Sequence, residues 1–90
     1  MLLEQVATKL NILPEKLERE SLKVYLQRNL RLIESELFSL AQRYGVQSVT
    51  ELDEQIQKGA FHENEAFEDF FRFDYLESER RKHLDILATL

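Results

Sequence analysis

Ninety residues with a formal charge of −5 and no cysteine suffice for one domain, 1–90, and exclude disulfides and thiolate metal sites. No apolar run approaches the ~20 residues of a membrane span, and the start Met1-Leu2-Leu3-Glu4 lacks the basic region of a secretion signal, so the chain reads as soluble and cytoplasmic. The charge is uneven, with seven Lys/Arg against six Asp/Glu in residues 1–45 and five against eleven in residues 46–90.

Residues 2–10 place Leu2, Leu3, Val6 and Leu10 on one side of a helix, with Glu4, Gln5 and Lys9 opposite. The rival reading is a short strand with Val6, Thr8, Leu10 and Ile12 on one face. Leu, Glu, Gln and Ala favour the helix. Asn11 suits its left-handed C-terminal stop.

Pro14 fits the first position of a second helix, where its missing N–H costs nothing. Nothing breaks that helix before Tyr44, and Gly45 supplies the stop. Leu26, Leu30, Ile33, Leu37, Leu40 and Tyr44 step by four and three in alternation. That seam suits packing along another helix, internally or in a homo-oligomer. Tyr25, Leu32, Phe38 and Ala41 widen it. At ~1.5 Å per residue the helix is ~46 Å long, against a diameter near ~31 Å for a compact chain of this size. An elongated, self-associating molecule follows.

Ser48 with Glu51 three residues on forms a capping box, each side chain expected to satisfy the other residue's backbone N–H. A short helix follows over 49–58, with Val49, Leu52 and Ile56 inward and Gly59 ending it. Ala60 to Asn64 read as a loop holding Phe61 and His62. The last helix covers 65–88, with a main stripe of Ala66, Phe70, Phe73, Leu76, Leu84 and Leu87. Phe67, Phe71 and Tyr75 form a second stripe more than ~100° away. The fold class is therefore all-α, a helical hairpin or bundle of two long and two short helices over 2–10, 14–44, 49–58 and 65–88.

Chemistry is sparse. The histidines, His62 and His83, stand far apart, without the Glu-x-x-His or paired-His spacing of a helical metal site. No nucleophile elbow or phosphate-cradling loop occurs. Carboxylates such as Glu68 and Glu77 read as i,i+4 partners of Arg72 and Arg81. No enzyme, catalytic residue, metal or cofactor is expected. The acidic second half suits a basic protein partner better than nucleic acid, which is gripped through Lys and Arg. A helix-turn-helix-like spacing around Val6–Leu17 keeps DNA contact by Lys9, Lys16, Arg19 and Lys23 as an alternative, although Glu15, Glu18 and Glu20 sit among them.

The run Glu20-Ser21-Leu22 with Tyr25-Leu26, then Tyr44-Gly45-Val46-x-Ser48-Val49-x-Glu51-Leu52, Gly59 and Glu68-Asp69-Phe70-Phe71-x-Phe73, resembles a family of small helical bacterial and archaeal proteins, many similar to the antitoxin half of toxin–antitoxin pairs. The resemblance implies a non-enzymatic protein that neutralises a small basic toxin, commonly a ribonuclease, with Glu68, Asp69, Phe70, Phe71 and Phe73 toward the partner. The chain departs from common antitoxins in lacking a ribbon-helix-helix strand and a strongly basic N-terminus, which counts against operon repression.

With Ala66, Phe70, Phe73 and Leu76 assigned to the core, the partner contacts narrow to Phe67, Glu68, Asp69, Phe71 and Tyr75. The expected function is a protein–protein interaction module, antitoxin-like, that binds a basic partner through an acidic-aromatic helix. A structural subunit of a larger assembly is the remaining alternative.

Overall fold

The computed structural model describes residues 1–61 and 63–90. Among them four helices follow one another: α1 Leu2–Leu10, α2 Pro14–Tyr44, α3 Val49–Gln57 and α4 Glu63–Thr89. No strand occurs among the described residues, which settles residues 6–12: they are helix and turn. The molecule is elongated, 60 × 20 × 19 Å, with a radius of gyration of 18.8 Å, well above the ~12 Å of a compact chain this long.

Three helices end in the same way. Asn11 (φ 58°), Gly45 (φ 65°) and Gly59 (φ 74°) take the left-handed conformation. After each, the next N–H reaches back five residues: Ile12 to Ala7 O (3.0 Å), Val46 to Ala41 O (3.0 Å) and Ala60 to Gln55 O (3.1 Å). This is the Schellman arrangement, which satisfies orphan carbonyls and turns the following side chain onto the helix. Val46 follows that logic and is buried.

The start of α3 is built from three side chains. Ser48 Oγ accepts the Glu51 N–H at 3.2 Å. The return arm of the expected capping box lands one residue upstream, because Glu51 Oε2 accepts from the Gln47 N–H (2.9 Å) rather than from Ser48. The Val49 N–H goes instead to Glu77 of α4, at 3.2 Å. Local pairing accounts for two of these donors and the neighbouring helix for the third.

The principal core lies where α2, α3 and α4 meet: Leu40, Val46, Leu52, Phe73 and Leu76. Ile33, Leu37, Tyr44, Val49 and Ile56 pack around it. The part of the seam from Ile33 to Tyr44 thus packs internally, with Leu40 buried; farther toward the N-terminus Leu26 is buried and Leu30 half-buried. Burying a large apolar side chain is worth ~1.5–3 kcal/mol, so this meeting point holds the molecule together. α1 packs on α2 at the other end, where Ala7 is its one buried residue. Leu2, Val6 and Leu10, which share a side with Leu3, stay exposed. Leu84 is 39% exposed rather than part of the core stripe, and it lies outside the cluster that α3 joins, whose first residue meets α4 at Glu77.

Two ends differ from the sequence reading. α4 begins at Glu63 and takes in Asn64, which shortens the loop, and α3 stops at Gln57. His62 lies outside the described residues. Phe61, expected merely to occupy a loop, closes on Tyr44 edge to face, with ring centroids 4.8 Å apart.

Candidate interaction surface

The acidic-aromatic stretch divides by helical position. Ala66, Phe73 and Leu76 are buried and Phe70 is half-buried against the core. Phe67, Phe71 and Tyr75, spaced by four, run along the outer side of α4 and are 41, 66 and 53% exposed. Phe71 meets Phe70 edge to face at 5.4 Å. The Arg72 guanidinium lies 5.5 Å from the Tyr75 ring centre, close enough for a cation–π contact. The outer row is therefore braced but uncovered.

Charges around the row are partly spoken for. Glu68 is exposed, and among the described residues neither it nor Asp74 has a cationic partner within 4 Å. Asp69 faces inward instead. Its Oδ2 accepts from the Tyr44 hydroxyl and from Arg43 Nη1 at 2.8 Å. Burial, then the Asp69 carboxylate, pushes the Tyr44 phenol up to about 12. Asp69 is consequently a clasp between α2 and α4.

Arg72 does not pair with Glu68. Its guanidinium reaches across to Glu36 of α2 through Nε and through Nη2 at 2.8 Å, a two-pronged pair. The hydrogen bond from Arg72 holds the Glu36 carboxyl below its ordinary range. Nor does Glu77 turn to Arg81, since it caps α3. Both local pairings lose to partners on neighbouring helices.

His83 is buried, and its Nδ1 lies 2.7 Å from the Glu79 carbonyl oxygen. That oxygen only accepts, so Nδ1 carries the proton. The Glu79 carboxylate lies 3.0 Å from Lys82 Nζ, whose proton it holds more firmly through that hydrogen bond. Among the described residues no group of His, Asp and Glu side chains is arranged to hold a metal ion.

Lys9 stands in the last turn of α1. Lys16, Arg19 and Lys23 line one side of α2 and extend the step of the Leu26–Tyr44 seam toward the N-terminus. Lys9, Lys16 and Arg19 are exposed and Lys23 is half-buried.

A second feature was not legible as a site. An open groove of about 620 Å³ runs between α2 and α4, with Leu37, Phe38 and Ala41 on one side and Phe73 and Leu84 on the other. Gln47 and Glu77, at the start of α3, also line it, so the groove abuts the end of that helix. Phe38 is 64% exposed there. The only sequence signal was the widening of the apolar stripe on α2.

The sequence pattern of the uncharacterized protein MJ0235 family matches residues 1–90. No curated protein and no solved structure matches the chain. No helix among the described residues is long and apolar enough to cross a membrane.

Proposed function

We propose that this chain, which belongs to the uncharacterized protein MJ0235 family, is a non-catalytic protein–protein interaction module whose partner is a small basic protein. The observation that carries the reading is the uncovered row Phe67–Phe71–Tyr75 on the outer side of α4. Aromatic side chains are enriched at interface cores and among the few residues that carry most of the binding energy. Glu68 and Asp74 flank the row and favour encounter with a positively charged surface. The finer reading is an antitoxin-like role in the cytoplasm, with the partner a basic toxin that this surface neutralises.

The test is affinity purification from the native host, followed by a side-by-side capture with the Phe67→Ala/Phe71→Ala double variant. The expected result is a basic protein bound by the wild type and lost from the variant, whose melting curve stays unchanged. Co-expression then asks whether the wild type alone relieves growth inhibition by that protein. Equal capture by both chains removes the reading; capture without relief of inhibition removes the antitoxin part.

A further inference from the structure

The groove between α2 and α4 and the uncovered side of α1 fit one another. α3 already shows what the wedge between α2 and α4 accepts: a nine-residue helix presenting Val49, Leu52 and Ile56. α1 is also nine residues long, and its exposed Leu2, Val6 and Leu10 recur every four residues along one side. Within its own chain α1 uses Ala7 as its buried contact, while Leu2, Val6 and Leu10 remain 72, 38 and 60% exposed.

We propose that the groove beside Phe38 and Leu84 is filled by α1 of a second copy of this chain, in an antiparallel two-fold dimer. α1 stays packed on its own α2 and offers its outer row. A three-residue turn joins it to α2, so it lies along the N-terminal third of that helix. The groove lies along the C-terminal third, at residues 34–41. Antiparallel pairing of the two α2 helices sets the first opposite the second, twice.

Area agrees with this occupant. Val24, Arg31 and Phe38 share one side of α2 at steps of seven, and all are exposed. Leu2, Val6, Leu10, Val24, Phe38 and Leu84 would be covered in each copy. At roughly 60 Å² of exposed apolar area each, the two copies bury ~720 Å² of apolar surface. With the polar share of an ordinary interface this is ~1,200 Å², the lower bound of a specific stable dimer. The Phe67–Phe71–Tyr75 row is not used, so the dimer is independent of the partner reading.

Sedimentation of the full chain gives the first test, with a mass of two chains expected at micromolar concentration. Phe38→Glu is expected to raise the dimer dissociation constant by ~30-fold or more at unchanged helix content, whereas Phe71→Glu leaves it unaltered. The chain has no cysteine, so Val6→Cys and Phe38→Cys chains are then mixed under mild oxidation. A disulfide joining the two variants, much faster than within either one alone, supports the arrangement. A wild-type monomer overturns it and leaves the groove to a helix of another protein. A dimer indifferent to Phe38→Glu, or equal cross-linking of Val6→Cys with itself, overturns it as well.

Discussion

Glu77 of α4 accepts a hydrogen bond from the backbone N–H of Val49, the first residue of α3, at 3.2 Å. A helix of only nine residues gains little from its own hydrogen bonds, so a cap supplied by a neighbour also fixes where it sits. Glu77→Ala is expected to cost about 1 kcal/mol, as lost N-terminal caps do. Glu77→Gln, which keeps an acceptor oxygen, costs less. Urea unfolding of the three chains checks the order.

Phe71 and Phe73 stand two residues apart on α4 and have opposite fates, 66% and 2% exposed. Phe73→Ala is expected to cost about 3–5 kcal/mol, as a cavity in a core does. Phe71→Ala should stay within about 0.5 kcal/mol. Thermal melts of both variants measure the contrast. A large loss for Phe71→Ala would place that ring in the core and undercut the proposed contact surface.

Gly45 holds a φ of +65°, and a Cβ added there meets nothing within 4 Å. Replacement therefore costs only backbone strain. Gly45→Ala is expected to destabilise by about 1–2 kcal/mol, and Gly45→Asn by less, because Asn tolerates this conformation, as it does at Asn11. Equilibrium unfolding midpoints of the two variants distinguish strain from lost packing.

Tyr44 gives the fold an alkaline limit. Its phenol is raised to about 12, above the ~10 of an unfolded tyrosine. The folded state holds the proton more tightly, so the stabilisation is complete below pH ~10 and falls as pH rises toward about 12. In a titration of phenolate absorbance one tyrosine should ionise last, and that step should vanish in Tyr44→Phe. The alkaline fall in melting temperature should be shallower in the same variant.

Glu36 acts at the other end of the pH scale. Its carboxyl is held low by the hydrogen bond from Arg72, so the folded state binds the proton less tightly than the unfolded one. The contribution is present above the usual glutamate range near pH ~4.3 and is lost as pH falls through the lower folded value. Glu36→Gln should flatten the acid side of the stability profile and leave the alkaline side alone. Melting temperatures between about pH 3 and pH 7 test the asymmetry.

The helix ends were legible because they depend on near-neighbour chemistry. Asn11, Pro14, Gly45, Ser48 and Gly59 each mark a boundary within a residue or two. The inner stripe Ala66–Phe73–Leu76 and the outer row Phe67–Phe71–Tyr75 followed from helical spacing alone. What spacing cannot supply is the neighbour. Arg72 and Glu77 each had a local partner four residues away, and each turned to another helix once α4 lay beside α2 and α3. Asp69 looked like surface charge until Tyr44 and Arg43 came within reach. The groove opens beside the point where the start of α3 meets Glu77, a property of the packing and not of any single segment.

The clasp on Asp69 has a consequence for the alignment of α2 with α4. The seam Leu26-Leu30-Ile33-Leu37-Leu40-Tyr44 repeats every seven residues, so apolar contact alone nearly tolerates sliding one helix past the other by a heptad, ~10.5 Å. The polar partners do not repeat. Asp69 answers Tyr44 and Arg43, and Arg72 answers Glu36; one heptad toward the N-terminus stand Leu37, Glu36 and Asn29, which would set a like charge against Asp69 and no carboxylate against Arg72. A slipped hairpin would keep much of its grease and lose both clasps. Those two ion pairs add little to overall stability at a solvated surface, yet they select one register from a sliding series, as buried polar residues do in coiled coils.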